Sequence, residues 1–395
     1  MIHYFNPGHE TAVLNASPYY TAPANITAMM HDLAFLPAWY ASAGDYIFLE
    51  ESIDAKYMSY LRKRLNLQTI NITAKSNMGI IENDEVCPWG ISPQSIQRFH
   101  DLNQKYYINT KVPKWREEYV YLNSREAAKD CLKKIIENEP CISNQLLPRF
   151  VDNLEDIEQA VRASQSQLLI KAPYSSSGRG LLWLPLGELT RTERQIINGL
   201  LNKQKKVSLE QALDKQLDFA MEFMSDGVGH VDFVGYSLFE TSNRGVYEGN
   251  HIMPQTKIED LLSKDISKGL LDEMRSSLSA ILSEMYGMVY KGCIGVDMLI
   301  YKEGGEYKLH PCVEINMRYN MGYLSYMLAE HHISPSSEGR FSIKFNSTEG
   351  EVFAQHREML SKYPAIFSNN RLQSGYLPLC PVSIKSRYWA YVLVG

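Results

Sequence analysis

Short apolar runs alternate with stretches of helical spacing over the first third of the chain. The predicted strands are residues 2–5, 35–39, 46–49 and 67–73, and the predicted helices are residues 23–33 and 54–65. Further helices are predicted over residues 92–105 and 114–119. This alternation of strands and helices indicates a small α/β unit at the start of the chain.

Later segments show longer helical patterns. Ser124 precedes an acidic first turn and apolar residues at helical spacing, which is typical of a capped helix. The helices predicted in this part are residues 124–136, 150–163, 190–203, 261–290, 323–331 and 351–360.

A β-hairpin is predicted near residue 300. Residues 295–301 are apolar and β-prone, residues 302–306 favour a turn, and residues 307–316 return. The hairpin brings Asp297 of its first strand beside Glu314 of its second strand.

The return strand carries a polar face. A period of two places Cys312, Glu314 and Asn316 on one face, and the residues between them on the other. With Asp297, this face offers hard oxygen ligands on rigid strands, which suit Mg²⁺. The alternative is an exposed hairpin whose acidic residues face water.

A second candidate is the stretch LLIKAPYSSSGRG. An apolar strand ends in Lys171, a loop of small residues follows, and another apolar strand returns. Backbone N–H groups of such a loop bind phosphate oxygens, and a lysine at the strand end adds a positive charge. Neither a P-loop nor a Rossmann fingerprint is present. The alternative is an ordinary loop.

Two further stretches are candidates for ligand contacts. In residues 207–223 a strand breaks at 211–215, so free backbone groups and Glu210 are available for an adenine edge. Asn6, His9 and Glu10 follow the first strand, where ligands of open α/β sheets bind. The alternative for the latter is a plain Asn-Pro-Gly turn.

Composition narrows the classes of function. The 395 residues are 45% hydrophobic and 22% charged, as in ordinary globular proteins, and suffice for two or three subdomains. The net charge of −5 does not favour nucleic acid or an anionic membrane as a partner. Six cysteines without a CxxC pair, and histidines without HxxxH spacing, argue against zinc and a disulfide framework. Without a predicted membrane span or signal peptide, we expect a cytoplasmic protein.

In their order along the chain, the Lys171 loop, the Glu210 break and the Asp297 hairpin resemble the ATP-grasp superfamily. The lid and hinge are similar to those of biotin carboxylase and carbamoyl phosphate synthetase, with serines in place of glycines. The resemblance covers about residues 124–322 and implies an α/β (α+β grasp) fold. The implied parts are an N-terminal pre-ATP-grasp domain (1–115), a small lobe with the lid (116–206), a large lobe with the metal site (207–335) and a C-terminal extension of unassigned role (336–395).

The resemblance also implies roles for individual residues. ATP would contact the phosphate-binding residues Lys171, Ser175, Ser176, Ser177 and Gly178, the adenine-binding residues Glu210, Gln211 and Leu213, and Asp218 near the ribose. Mg²⁺, with Mn²⁺ as an alternative ion, would be held by Asp297, Glu314 and Asn316. Arg318, with Lys171, would act on phosphate or on an acyl phosphate.

Two positions depart from the family pattern. Arg125 is the nearest candidate where the family has an earlier phosphate-binding lysine. Gly295 stands two residues before the first metal-binding acid, where many carboxylate ligases carry an arginine.

The implied activity is ATP-dependent ligation of a small carboxylate to an amine or other nucleophile through an acyl phosphate, with small molecules as partners and a homodimer as a further expectation. Two alternatives stay open. One is a kinase-like phosphotransferase using the same nucleotide site, and the other is a nucleotide-binding module without turnover. Intact metal-binding residues and Lys171 argue against the last.

Overall fold

The computed structural model describes residues 1–76, 78–175, 180–242 and 245–395. The strands are β1 Ile2–Tyr4, β2 Tyr46–Leu49, β3 Ile70–Thr73, β4 Val86–Pro88, β5 Arg149–Val151, β6 Leu168–Lys171, β7 Leu181–Trp183, β8 Val207–Gln211, β9 Asp214–Asp226, β10 Val231–Thr241, β11 Tyr247–Ile252, β12 Lys291–Glu303, β13 Glu306–Asn316, β14 Gly339–Phe345, β15 Ile366–Ser368, β16 Arg371–Pro378 and β17 Tyr388–Val394. The α-helices are α1 His9–Asn15, α2 Ala24–Asp32, α3 Ala55–Leu65, α4 Pro93–Tyr106, α5 Glu118–Leu122, α6 Arg125–Asn138, α7 Leu154–Ala163, α8 Arg191–Gln204, α9 Gln255–Leu262, α10 Lys268–Tyr286, α11 Met321–Met327 and α12 Glu351–Lys362.

The N-terminal part forms a parallel sheet with strand order β3-β2-β1-β4. Its core includes Ile2, Phe48, Ile72 and Phe99. The strand predicted at residues 35–39 is wrong, because Leu36–Trp39 is a buried 3₁₀ helix. Pro37 is well placed at the start of such a turn, and a short apolar run does not by itself distinguish a buried strand from a buried helix.

A second, antiparallel sheet has the strand order β5-β8-β6-β7. Helices α7 and α8 cover it, and Ile157, Ile170 and Ile197 meet in its core. Strand β6 ends at Lys171, which pairs with Ser208 of β8. Lys171 therefore lies at the carboxyl end of an inner strand of this sheet, opposite the start of β8.

The largest sheet has the strand order β13-β12-β9-β10-β11-β14-β17-β16-β15. The predicted hairpin is confirmed as β12 and β13, in which Asp297 lies opposite Glu314. The C-terminal strands β14 to β17 continue the same sheet beyond β11. The bounds of the four predicted domains stay a prediction.

Two local predictions are corrected by packing. The helix predicted at 261–290 is two helices, since Ser267 caps the start of α10 by accepting a hydrogen bond from Leu270 N. The shared face predicted for Cys312 is wrong. A shift of register between Asp297 and Leu299 interrupts the alternation, and Cys312 lies in the core, where its thiol donates to Ala128 O.

In the described part of the chain, no helix is both long and apolar enough to cross a membrane.

Candidate active site

Two adjoining cavities lie between the three sheets. The hinge cavity, of about 430 Å³, is bounded by β6, β8, β9 and the β12–β13 hairpin. The arginine cavity, of about 560 Å³, contains Arg318 and is bounded by the N-terminal loop, β9, β10 and the C-terminal strands. Asp297 and Glu314 line both cavities. The acidic pair therefore stands at the junction of one continuous cleft.

The residues predicted to bind the nucleotide converge on the hinge cavity. Its lining includes Arg125, Lys171, Ser175, Glu210, Gln211, Leu213 and Asp218. The predicted contacts of Ser176, Ser177 and Gly178 fall outside the described residues. The convergence brings together segments that are far apart in the sequence, although the individual nucleotide contacts stay a prediction.

Lys171 and Glu210 form an ion pair inside this cavity. Lys171 Nζ lies 2.5 Å from Glu210 Oε2, and Ser208 Oγ donates to Glu210 Oε1 at 2.7 Å. Burial raises the pKa of Glu210, but the charges of Lys171 and Arg125 and the two hydrogen bonds outweigh burial and lower it. The pair holds the lysine head group at a fixed place at the end of β6.

Three polar groups in the hinge cavity were missed in the sequence. Lys215 donates to Asp218 Oδ2 at 2.5 Å and also contacts Thr241 Oγ1. His310 is buried, and burial lowers the pKa of its imidazole to about 4, assisted by the charge of Lys171. No described residue hydrogen-bonds His310 Nδ1. A period of two places His310 on the same face of β13 as Glu314, but a single histidine there gave no indication of a ligand contact.

Asp297, Glu314 and Asn316 come together as predicted from the hairpin. Asn316 Nδ2 donates to Asp297 Oδ1 at 3.1 Å. Burial raises the pKa of Asp297 well above its ordinary value, and the nearby charges of Glu314 and Glu222 raise it further. The two carboxylates repel each other, and a cation between them would relieve this repulsion. With the amide oxygen of Asn316, they form a set of oxygen donors that fits Mg²⁺. The described residues contain no cluster of three or more His, Cys, Asp or Glu side chains suited to a metal, and Mg²⁺ binding by Asp297, Glu314 and Asn316 stays a prediction.

Arg125 forms hydrogen bonds both to the end of the strand that leads into the predicted lid (β6) and to the β12–β13 hairpin. From the first turn of α6, it donates to Ala172 O at 3.2 Å and to Glu314 Oε2 at 2.8 Å. Its side chain is 11% exposed. A guanidinium next to the acidic pair supplies positive charge where the family pattern has a lysine, and its contact with phosphate stays a prediction.

Arg318 is held from two sides. Its Nε donates to Glu10 Oε1 at 2.6 Å, and its Nη2 donates to Asn316 Oδ1 at 2.8 Å. Burial raises the pKa of Glu10, but Arg318 and His9 lower it by more, so this carboxyl group stays ionised. Glu10 lines the arginine cavity, whereas His9 is 2% exposed and bonded to Asn123.

Asn6 is fully engaged with the backbone. Its Nδ2 donates to Gly90 O at 2.7 Å, and its Oδ1 accepts from Gly90 N at 3.1 Å. The residue is 3% exposed. Asn6 therefore joins the ends of β1 and β4, and its predicted contact with substrate stays untested.

Replacing Asn6 by alanine is expected to lower the free energy of unfolding by about 1–3 kcal/mol, because the buried N–H and C=O of Gly90 lose their partners. Chemical denaturation measures the change. The matched control is Asn202→Ala on the exposed face of α8, which is expected to change stability by less than about 0.5 kcal/mol. Equal stability of the two variants would show that Asn6 does not brace this junction.

The chain is similar in sequence to one curated protein. No protein-family model matches the chain. The [butirosin acyl-carrier protein]–L-glutamate ligase of Niallia circulans is 23% identical over 288 residues, a match that covers 69% of this chain. The match covers 61% of that curated relative, so the chain spans about three fifths of its length.

Solved structures share the fold over most or all of the chain. An ADP complex of N5-carboxyaminoimidazole ribonucleotide synthetase has a TM-score of 0.50 at 10% identity, covering 100% of this chain and 91% of that one. The biotin carboxylase domain of 2-oxoglutarate carboxylase from Hydrogenobacter thermophilus, with MgADP and bicarbonate, has a TM-score of 0.50 at 11% identity, covering 100% and 86%. Pyruvate carboxylase of Rhizobium etli has a TM-score of 0.51 at 12% identity, covering 92% and 35%. Together with the lid strand, hinge and acidic hairpin, these structures establish that the chain has the ATP-grasp fold.

Proposed function

We propose that the protein is an ATP- and Mg²⁺-dependent ligase that joins a small carboxylate to an amine through an acyl phosphate. The observation that supports this is the single cleft with Asp297 and Glu314 at its middle. The hinge cavity takes ATP and the arginine cavity takes the carboxylate and its acceptor. A phosphoryl group transferred between them passes the acidic pair.

The residues of the cleft suit phosphoryl transfer, which depends on positioning and charge neutralisation more than on covalent help. Lys171 and Arg125 place positive charge on the hinge-cavity side of Asp297 and Glu314, and Arg318 places it on the arginine-cavity side. The bonds to Glu210, Glu314 and Glu10 hold the three cations in place before substrate arrives. When bound by Asp297, Glu314 and Asn316, Mg²⁺ supplies further neutralisation of phosphate charge, and Mn²⁺ is proposed as a substitute.

The curated relative is named for L-glutamate and an acyl-carrier protein. Its name supports ligation and makes an amino acid the first class of carboxylate to try. A carrier protein is the second candidate for the acceptor. A homodimer stays a prediction.

The test is a screen with hydroxylamine, which converts an acyl phosphate to a hydroxamate. The protein is incubated with ATP, Mg²⁺, hydroxylamine and pools of amino acids or small carboxylates, and ADP and hydroxamate are measured together. We expect at least one carboxylate to give both in equal amounts. ADP with a phosphorylated product and no hydroxamate would indicate a kinase, and neither product would indicate a binding module.

A further inference from the structure

Glu222 is a buried carboxyl group that none of the roles above uses. It lies on β9 in the wall of the arginine cavity and is 1% exposed. Its Oε1 accepts from Ser237 Oγ at 2.9 Å, and its Oε2 accepts from Asn320 Nδ2 at 2.8 Å. Both donors are neutral. Among the described residues, no lysine, arginine or histidine forms an ion pair with Glu222, so its charge lacks a cation in contact.

The backbone around Glu222 is shaped to accommodate it. A Cβ at Gly322 would overlap Glu222 Oε1 and Ser237 Oγ. A Cβ at Gly295 would overlap Asn320 Nδ2 and lie 2.9 Å from Glu222 Oε2. The missing arginine at position 295 thus has a physical reason, because Glu222 and Asn320 fill its space. This arrangement places a glutamate carboxyl group near Asp297 and Glu314, where the family pattern places an arginine side chain.

Several titratable groups face this carboxyl group. Asp297 and Cys293 come from β12, Arg318 from the segment after β13, and Tyr323 from α11. Burial raises the pKa of Glu222 to about 7, against the lowering effects of its two hydrogen bonds and of Arg318. A carboxyl group with such a pKa gains and loses a proton near neutral pH at little cost in free energy.

Resting on the ligase function proposed above, we propose that Glu222 selects a primary amine as the acceptor: its carboxylate binds the amino group as an ammonium ion and accepts one proton from it. An ammonium ion compensates the buried negative charge and lies within the same cavity as Arg318. A thiol or hydroxyl acceptor brings no positive charge and would leave Glu222 uncompensated.

The step balances without a further reactant. One N–H bond of the ammonium ion breaks, and the proton goes to a carboxylate oxygen of Glu222. The freed lone pair forms the C–N bond with the acyl carbon, while the C–O bond to phosphate breaks and its electron pair leaves on phosphate. The second surplus proton on nitrogen passes to the departing phosphate, and Glu222 returns its proton to water.

Glu222→Gln is the decisive variant, because it keeps the shape of the side chain and can still accept from Asn320. It is compared with the wild type using a carboxylate that the hydroxylamine screen identifies. The acceptors are hydroxylamine, which is uncharged at mildly alkaline pH, the primary amines glycine, ethanolamine and L-lysine, and the thiol N-acetylcysteamine. We expect kcat/KM for the best amine to fall by about a hundredfold or more, whereas the hydroxamate rate stays within about twofold.

Ser237→Ala provides a second test, because it should shift a pH profile that a purely structural role of Glu222 would leave unchanged. Loss of one donor to the carboxylate disfavours its charged form, so the pKa of Glu222 rises. The acidic limb of the amine-dependent pH profile should therefore move to higher pH, with the hydroxamate rate unchanged.

Four results would overturn the inference. These are equal losses with hydroxylamine and amines in Glu222→Gln, no loss with either, an unshifted profile in Ser237→Ala, or a wild type that uses the thiol and none of the amines. A wild type that forms no hydroxamate from any carboxylate instead contradicts the ligase function itself, so the two failures are distinguishable.

Discussion

Replacing Lys171 by methionine is expected to weaken the binding of Mg-ATP about ten- to a hundredfold, since about 1.4 kcal/mol corresponds to each factor of ten. The methionine keeps most of the apolar stem and removes the charge. In the hinge cavity, where Lys171 is 12% exposed, a charged contact with phosphate contributes roughly 1.5–3 kcal/mol. Turnover should fall further, because charge that develops in the transition state also loses its partner.

Isothermal titration calorimetry with Mg-ATP measures this effect. The matched control is Lys134→Met, which also removes a lysine paired with a glutamate, Glu284 at 2.9 Å, but lines neither cavity. In Lys171→Met, Glu210 is left as a buried charge without its partner. The double variant Lys171→Met with Glu210→Gln removes that charge too, so it separates the loss of the phosphate contact from the effect of an unpaired Glu210. Wild-type affinity in both Lys171 variants would remove this lysine from the nucleotide site.

Glu314→Gln or Asn316→Ala is expected to reduce Mg²⁺-dependent turnover by about a thousandfold or more, because a missing ligand leaves phosphate charge without neutralisation. The melting temperature of Glu314→Gln without metal should stay nearly unchanged, since this side chain faces the cleft. Asn316→Ala should lower it, because Asp297 Oδ1 and Arg318 Nη2 each lose a hydrogen bond. Relief of the repulsion around Asp297 offsets the contact that Arg125 loses in Glu314→Gln.

Coupled ADP release across a range of Mg²⁺ concentrations provides the measurement. The control is Glu303→Gln on the same hairpin, where the carboxylate is bonded to Lys308 at 2.6 Å and lies outside both cavities. We expect that control to match the wild type. Turnover by Glu314→Gln and Asn316→Ala at the wild-type level would contradict a metal site at the junction.

The hairpin and the lid strand were accessible from the sequence because local rules determine them. Apolar runs and a turn specify the pairing of β12 with β13, so Asp297 lies opposite Glu314 as predicted. The same rules failed for Cys312, because a shift of register is not visible in alternation alone. The strand predicted at residues 35–39 was wrong for a similar reason, because a short apolar run shows no period that separates a strand from a buried helix.

Glu222 and His310 show a different limit. Each lies on a strand that also carries predicted site residues, and alternation alone does not show which further polar side chain on that strand faces the cleft. Glu222 acquires its environment from Asn320, 98 residues away, and from two glycines whose missing side chains give it room. The role proposed for Glu222 in binding the acceptor amine was therefore inferred only from that packing.

By itself, the sequence determined the order of the lid strand, hinge and acidic hairpin through short-range periodicity and turn chemistry, and the resemblance of that order to the ATP-grasp superfamily implied the fold. Only the tertiary structure decided how their side chains pair. Arg125 reaches Glu314 across 189 residues and Arg318 reaches Glu10 across 308. These contacts depend on how the three sheets pack against one another. A contact between elements that are far apart in the sequence has no counterpart in the local pattern of either element.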